Sequence, residues 1–350
     1  MSHTPHPRLN HFLQQLNTPS FPYHQTDPAL YARHFSTYYH LRLPSHSSTL
    51  GFVLPSVAEV LRNLPAWALD DASHPRTLTL LHGANEEERS KIVADTTAAM
   101  RATGHFEILQ GWRDELFPVY DYDGRGGTEV VFSVERAASA LFGVVTYGCH
   151  MTCYVRSRRK WSGGDVDGWG EPEEREAEEE EEEVMKVWVP RRARSKQTYG
   201  GMLDNTVAGG VATGETPLES LVREAHEEAS LPEEMVREKA RAVGTVTYFH
   251  IRDERAGGET GLLQPECQYV YDMELPEDVL PDPSDDEVEE FRLMSVQEVR
   301  EGLAKGEFKP NCALVLLDFF VRHGILTAEN EKDYVEIVSR LHRRLEFPTV

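Results

Sequence analysis

Apolar and polar residues alternate along the chain in two different periods, and the change of period divides it. SVAEVLRNL (56–64) spaces its apolar residues at helical intervals, Leu78 to Leu81 form a short apolar run, and EEERSKIVADTTAAMRATG (86–104) reads as a long helix. GWRDELFPVYD and VERAASALFG close this first part, which predicts an α+β domain over residues 21–145 behind a flexible arm at 1–20. From Thr146 onward strand-like stretches dominate: Tyr147 to Val155, Val184 to Pro190, VGTVTYFHI, CQYVYDMEL and EVEEFRLMS. VQEVREGLAKG and ALVLLDFFVRHG return to the helical period, with FKPN between them. Strands of this kind around one strongly patterned helix, closed by further helices, predict an α/β/α sandwich over a mixed sheet at 146–327, followed by a helical tail at 328–350.

Composition adds one break to this pattern. The 350 residues carry a net charge of -23, much of it in the run Glu171 to Glu183, which is nearly all glutamate. Like charges at that density oppose collapse, so residues 162–183 are expected to be a disordered insert inside a strand hairpin. The acidic balance argues against a nucleic-acid-binding surface. No stretch of 18 apolar residues occurs, so no membrane span is expected. The four cysteines are too scattered for a disulfide framework and too few for zinc spacing, and Cys149 and Cys153 read as buried free thiols on one face of a strand. The N-terminus lacks the apolar core of a secretory signal, which points to the cytoplasm, although basic residues without an acid before Asp27 also suit an organellar presequence.

The chemistry concentrates between Gly209 and Leu231, GGVATGETPLESLVREAHEEASL. Thr216, Pro217 and Glu219 form a helix start: the threonine caps, proline is tolerated at the first helical position, and the glutamate completes a capping box. Leu218, Leu221, Val222, Ala225 and Ala229 then share one helical face. Glu224, Glu227 and Glu228 project together from another face, where three carboxylates repel unless a cation joins them. Hard oxygen ligands suit Mg²⁺ or Mn²⁺.

This segment resembles the Nudix box, G-x5-E-x7-R-E-U-x-E-E-x-G-U, with Gly209, Glu215, Arg223, Glu224, Glu227, Glu228 and Leu231 at its defining positions. Ala225 is small for the aliphatic position, and Ser230 stands where the pattern has glycine. More widely, GWRDELFPVYD, ERAASALFGVVTYGCHMTCYV, VWVPRRARSKQTYGGMLDNTVAGGVATGE, PECQYVYDMELPED and FKPNCALVLLDFFVRHG resemble the Nudix portion of fungal thiamine pyrophosphokinase and its related proteins, and 41–111 fits the domain that precedes Nudix there. The resemblance implies hydrolysis of a diphosphate to a monophosphate, with thiamine diphosphate or its oxidised (oxo-, oxy-) derivatives as substrates. ADP-ribose or another nucleoside-diphosphate-linked substrate is the alternative within the same chemistry. A catalytically silent ligand- or protein-binding module is the alternative outside it.

The resemblance further implies that Glu224, Glu227, Glu228 and the Gly209 carbonyl hold the metal, that Arg223 holds the glutamates, and that one glutamate or a later acid activates water. Glu290 in EVEEF is the candidate for that later acid. For the small-molecule substrate the candidates are Gln197, Tyr199, Met202 and Asp204 before the box, and Lys309 and Asn311 after it. Trp112, Arg113 and Glu115 are expected either to close over the substrate, with the indole stacking on a ring, or to pack at a domain interface.

Overall fold

The computed structural model describes residues 27–44, 46–160, 181–284 and 286–350. Helix α1 (Pro28–Phe35) leads into a four-stranded sheet of β1 (Tyr39–Arg42), β2 (Gly51–Val53), β3 (Trp67–Asp70) and β4 (Thr77–Leu80), ordered β2-β1-β4-β3, with α2 (Pro55–Leu61) between β2 and β3. The long α3 (Glu86–Thr103) follows, capped by Asn85 and ended by Gly104 in the left-handed conformation. A hairpin of β5 (Leu116–Tyr122) and β6 (Thr128–Glu135) packs on α3, and the short α4 (Ser139–Phe142) completes this part. Its core joins Leu41, Leu61, Leu78, Leu80, Val93 and Phe142. The apolar run from Leu78 is thus a strand, and GWRDELFPVYD runs from a loop into β5.

The second part is a six-stranded mixed sheet: β7 (Thr146–Lys160), β8 (Glu181–Arg192), β9 (Val207–Gly210), β10 (Arg241–Ile251), β11 (Leu263–Glu274) and β12 (Val288–Ser295). The order is β10-β11-β7-β8-β12, with β9 also paired to β7. Only β7 and β11 run parallel; the other pairings are antiparallel. Strand alternation sends Cys149, Met151 and Cys153 to one face, against α5 (Pro217–Ala229) and α6 (Glu233–Lys239). Tyr154, Val246 and Val270 face the other side, against α7 (Val296–Lys305), α8 (Pro310–Arg322) and α9 (Tyr334–Leu341). This is the α/β/α sandwich that the pattern predicts.

The hairpin strands extend further than their apolar content indicates, because β7 and β8 pair as far as Lys160 and Glu181. Glu181 to Glu183 therefore belong to a strand rather than to the insert expected at 162–183, while 161–180, like the arm at 1–20, lies outside the described residues. After α9 the chain turns back between the two parts: the Phe347 ring lies 4.7 Å from that of Phe52 and 5.8 Å from that of Phe249. All four cysteines are free and buried, and burial raises the pKa of each thiol. No helix among the described residues is long and apolar enough to cross a membrane.

Candidate active site

The box helix α5 forms as its sequence dictates. Thr216 Oγ1 accepts from the Glu219 amide at 3.3 Å, the Glu219 carboxylate accepts from the Thr216 amide at 2.9 Å, and Pro217 occupies the first turn. Leu221, Val222, Ala225 and Ala229 are buried against β7 and β9. Ser230 ends the helix at φ 53°, and its hydroxyl donates to the Asp282 carbonyl at 2.9 Å, which offsets part of the cost of a non-glycine residue there. Thr216→Ala should remove the cap and lower unfolding stability by about 1 kcal/mol, measured by urea denaturation. A loss below about 0.3 kcal/mol would show that packing alone holds the helix start.

Strand β9 brings the glycine pair to this helix. A Cβ on Gly209 would lie 2.2 Å from Cδ of Glu224, so only glycine lets the glutamate lie across the strand. One residue earlier, the Ala208 amide donates to Glu228 Oε2 at 3.1 Å. Arg223 is the hub among the acids: Nη1 donates to Glu224 at 2.9 Å and Glu227 at 3.1 Å, and Nη2 to Glu215 at 3.2 Å. Burial raises the Glu224 carboxyl to about 6 despite the nearby Arg223 and Arg136. Burial, then the charges of Glu224 and Asp204, push Glu228 up as well. Glu227 remains half exposed.

Among the described residues no three acids, imidazoles or thiols already converge as a formed metal cage. The donors nevertheless fit a hard divalent ion. Two carboxylates are held in a repelling, partly desolvated pair, and a third is tied only by an exposed arginine contact. A cation placed among them would offset the burial that raises both pKa values and the neighbouring negative charge that adds to it at Glu228.

Two hollows meet here. An open cleft of about 640 Å³ is lined by Glu224, Glu227, His226 and Ser230 of the helix side, by Arg113, Glu115 and Arg136 of the first part, and by Ser284 and Glu287. A cavity of about 510 Å³ continues inward past Ala208, Gly209 and Gly210, and Arg113 and Arg136 line both. Of the substrate candidates, Gln197, Tyr199, Lys309 and Asn311 line the inner cavity. Asp204 lies behind its wall, ion-paired with Arg192 at 2.6 Å, and Met202 is not part of the lining. Tyr199 stands at φ 52° with its hydroxyl 3.0 Å from His250 Nε2, and burial lowers His250 to about 4, leaving it neutral near pH 7.

Glu290 lies elsewhere. It sits on the edge strand β12, paired with Arg191 and Arg292, and lines neither hollow. Glu287, in the turn before the same strand, faces the cleft and pairs with Lys196 and with Arg113 at 3.7 Å. Trp112 packs on the first core with its ring beneath Arg101, at 4.8 Å, while its neighbour Arg113 reaches the cavity. Sequence reasoning passed over Arg136, Glu266 and Gln268. Arg136 lay in a segment read as the end of a domain, Gln268 in a stretch read as a strand and Glu266 just before it; all three fall in segments that carry the wider resemblance, but none was singled out.

A carboxylate-bearing helix behind a glycine strand, opening on a cation-lined cavity, has the donors that a metal-assisted hydrolase requires. Residues 174–313 match the NUDIX domain, and residues 33–146 match the domain of unknown function DUF4743. An uncharacterized protein of Saccharomyces cerevisiae is 33% identical over 87% of this chain and 84% of its own. Nudix hydrolase 20 and Nudix hydrolase 24 of Arabidopsis thaliana, both described as chloroplastic, are 35% and 33% identical over 74% and 73% of this chain. The matches span 59% and 60% of those two plant proteins. The chain belongs to the Nudix hydrolases, with a DUF4743 domain ahead of the Nudix domain.

Proposed function

We propose that the protein is a Mg²⁺- or Mn²⁺-dependent diphosphatase that cleaves an organic diphosphate to the monophosphate, acting on oxidised derivatives of thiamine diphosphate. The observation that carries the reading is the junction of the cleft lined by Glu224 and Glu227, with Glu228 held on the adjoining Ala208 amide, and a cavity large enough for a heteroaromatic diphosphate. Glu224, Glu227, Glu228 and the Gly209 carbonyl would hold the ion. When bound, a divalent ion supplies charge neutralisation on the diphosphate and lowers the pKa of water. Arg223 orients the glutamates through its contacts to Glu224 and Glu227. Glu287 takes the place of Glu290 as the later acid able to orient the attacking water, because it faces the cleft.

The inner cavity supports the preference for an oxidised ring. Its charged lining comprises Arg113, Arg136, Arg252 and Lys309 against Glu107 and Glu266, and burial raises the Glu266 carboxyl toward neutrality. An excess of cations favours the diphosphate and disfavours the thiazolium charge, which oxidation of the thiazole ring, as in oxothiamine, removes. Gln268 Oε1 is buried with no donor, so an amino group on the ring edge would satisfy it. Tyr199, Tyr248 and Phe249 offer aromatic faces.

The test is a phosphate-release and product assay with Mg²⁺ across thiamine, oxothiamine and oxythiamine diphosphates and ADP-ribose. Oxothiamine diphosphate, which has lost the thiazolium charge, should exceed thiamine diphosphate in kcat/KM by about tenfold or more, equivalent to about 1.4 kcal/mol of transition-state preference, whereas oxythiamine diphosphate, which keeps that charge and lacks the amino group that Gln268 would accept from, should not. Faster turnover of ADP-ribose than of every thiamine compound would refute the substrate reading and leave the metal chemistry standing.

A further inference from the structure

We propose that the DUF4743 part completes the active site: Arg113 and Arg136 form the diphosphate-gripping wall opposite the carboxylates of the box helix. The inference rests on the diphosphatase reading and deepens it by assigning a phosphate-binding role to the preceding domain. Both arginines line the cleft that contains Glu224 and Glu227 and also the inner cavity. They therefore stand where the cleaved anhydride must lie if its organic group enters the cavity.

The two are held in place together. The Arg113 amide donates to Glu135 Oε1 at 2.9 Å, and Glu135 is buried. The Arg136 amide donates to the Glu115 carbonyl at 2.8 Å, which ties the second arginine back to the loop of the first. Asp114, at φ 57°, makes the tight turn between them and accepts from the Trp112 ring nitrogen at 2.8 Å. Backbone positions are thus fixed by hydrogen bonds, while both guanidinium side chains stay 42% exposed and reachable.

Their partners in this state are exchangeable. Arg136 donates to Glu115 at 2.7 Å, and Arg113 lies 3.7 Å from Glu287. A diphosphate carries more charge than either carboxylate and accepts the planar fork in two-point fashion, so it competes for these donors. An enzyme that gathers several carboxylates for a cation still needs fixed positive charge for the substrate, and among the residues shared by both hollows that charge comes from the first part alone.

The experiment uses the full chain and methylenediphosphonate, a non-hydrolysable diphosphate, titrated calorimetrically at saturating Mg²⁺, with steady-state kinetics on whichever organic diphosphate the wild type cleaves. Arg113→Gln and Arg136→Gln should each weaken methylenediphosphonate binding at least tenfold and raise KM, with unchanged thermal unfolding. Arg136→Lys should recover part of the affinity, and Arg62→Gln, which lines neither hollow and pairs with Glu59 and Asp71, should change nothing. Wild-type affinity and KM in both glutamine variants would overturn the arginine assignment while leaving the diphosphatase reading intact. Failure of the wild type to bind the probe or to cleave any diphosphate would overturn both. If the glutamine variants unfold, the lysine variants carry the test: folded Arg113→Lys and Arg136→Lys with wild-type affinity would overturn the two-point grip.

Discussion

Glu228→Gln and Glu227→Gln should each lower kcat at least about 100-fold at saturating Mg²⁺, a loss of about 2.7 kcal/mol of transition-state stabilisation, while the fold persists. Glutamine keeps the size of the side chain, and at position 228 its amide oxygen can still accept from the Ala208 amide, which the glutamate does at 3.1 Å. What disappears is one negative charge from a group that only a cation makes comfortable. Burial and the Glu224 charge already push the Glu228 carboxyl upward, so the metal-free variant should melt no lower than the wild type. Turnover rates and thermal unfolding by circular dichroism check both halves of this expectation. Near-wild-type kcat in the two variants would remove the box carboxylates from the reaction.

Gly209→Ala should damage activity by a steric route. The added Cβ would fall 2.2 Å from both Cγ and Cδ of Glu224, and Glu224 cannot remain where it is. We expect kcat/KM to drop at least about tenfold and stability to fall by about 1–3 kcal/mol, the usual cost of overpacking. The measurement pairs kinetics with urea unfolding. Unchanged kinetics with a stability loss alone would mean that the position of Glu224 does not matter to the reaction.

The sequence located the helical scaffold of this site more securely than the rest of it. Thr216, Pro217 and Glu219 start α5 through contacts within one turn, and the 3.6-residue period then decides which residues are buried and which project. Glu290 and Glu287 show where such local rules end. They lie three residues apart in an acidic stretch, and which one reaches the cleft depends on where β12 begins to pair with β8. Asp204 and Tyr199 differ in the same way: both precede the box, yet Asp204 is turned behind the wall by Arg192, whereas Tyr199 is turned into the cavity by a left-handed backbone. Arg136 was not singled out, because an arginine after an apolar stretch is ordinary in any chain, although it stands at the start of a segment that carries the wider resemblance.

By itself the sequence determined the alternation that makes the sandwich, the capped helix, and the presence of three carboxylates on one face, since each depends on neighbours a few residues away. It also determined that Gly209 precedes Glu224 at the spacing of the box. Only the tertiary structure decided that these two would touch, that Arg113 and Arg136 would face the box helix across a cleft, and that Glu287 rather than Glu290 would join them. Those outcomes depend on how two separately cored parts dock and on where paired strands begin, and burial energy summed over many residues, with no local code at any one of them, sets both.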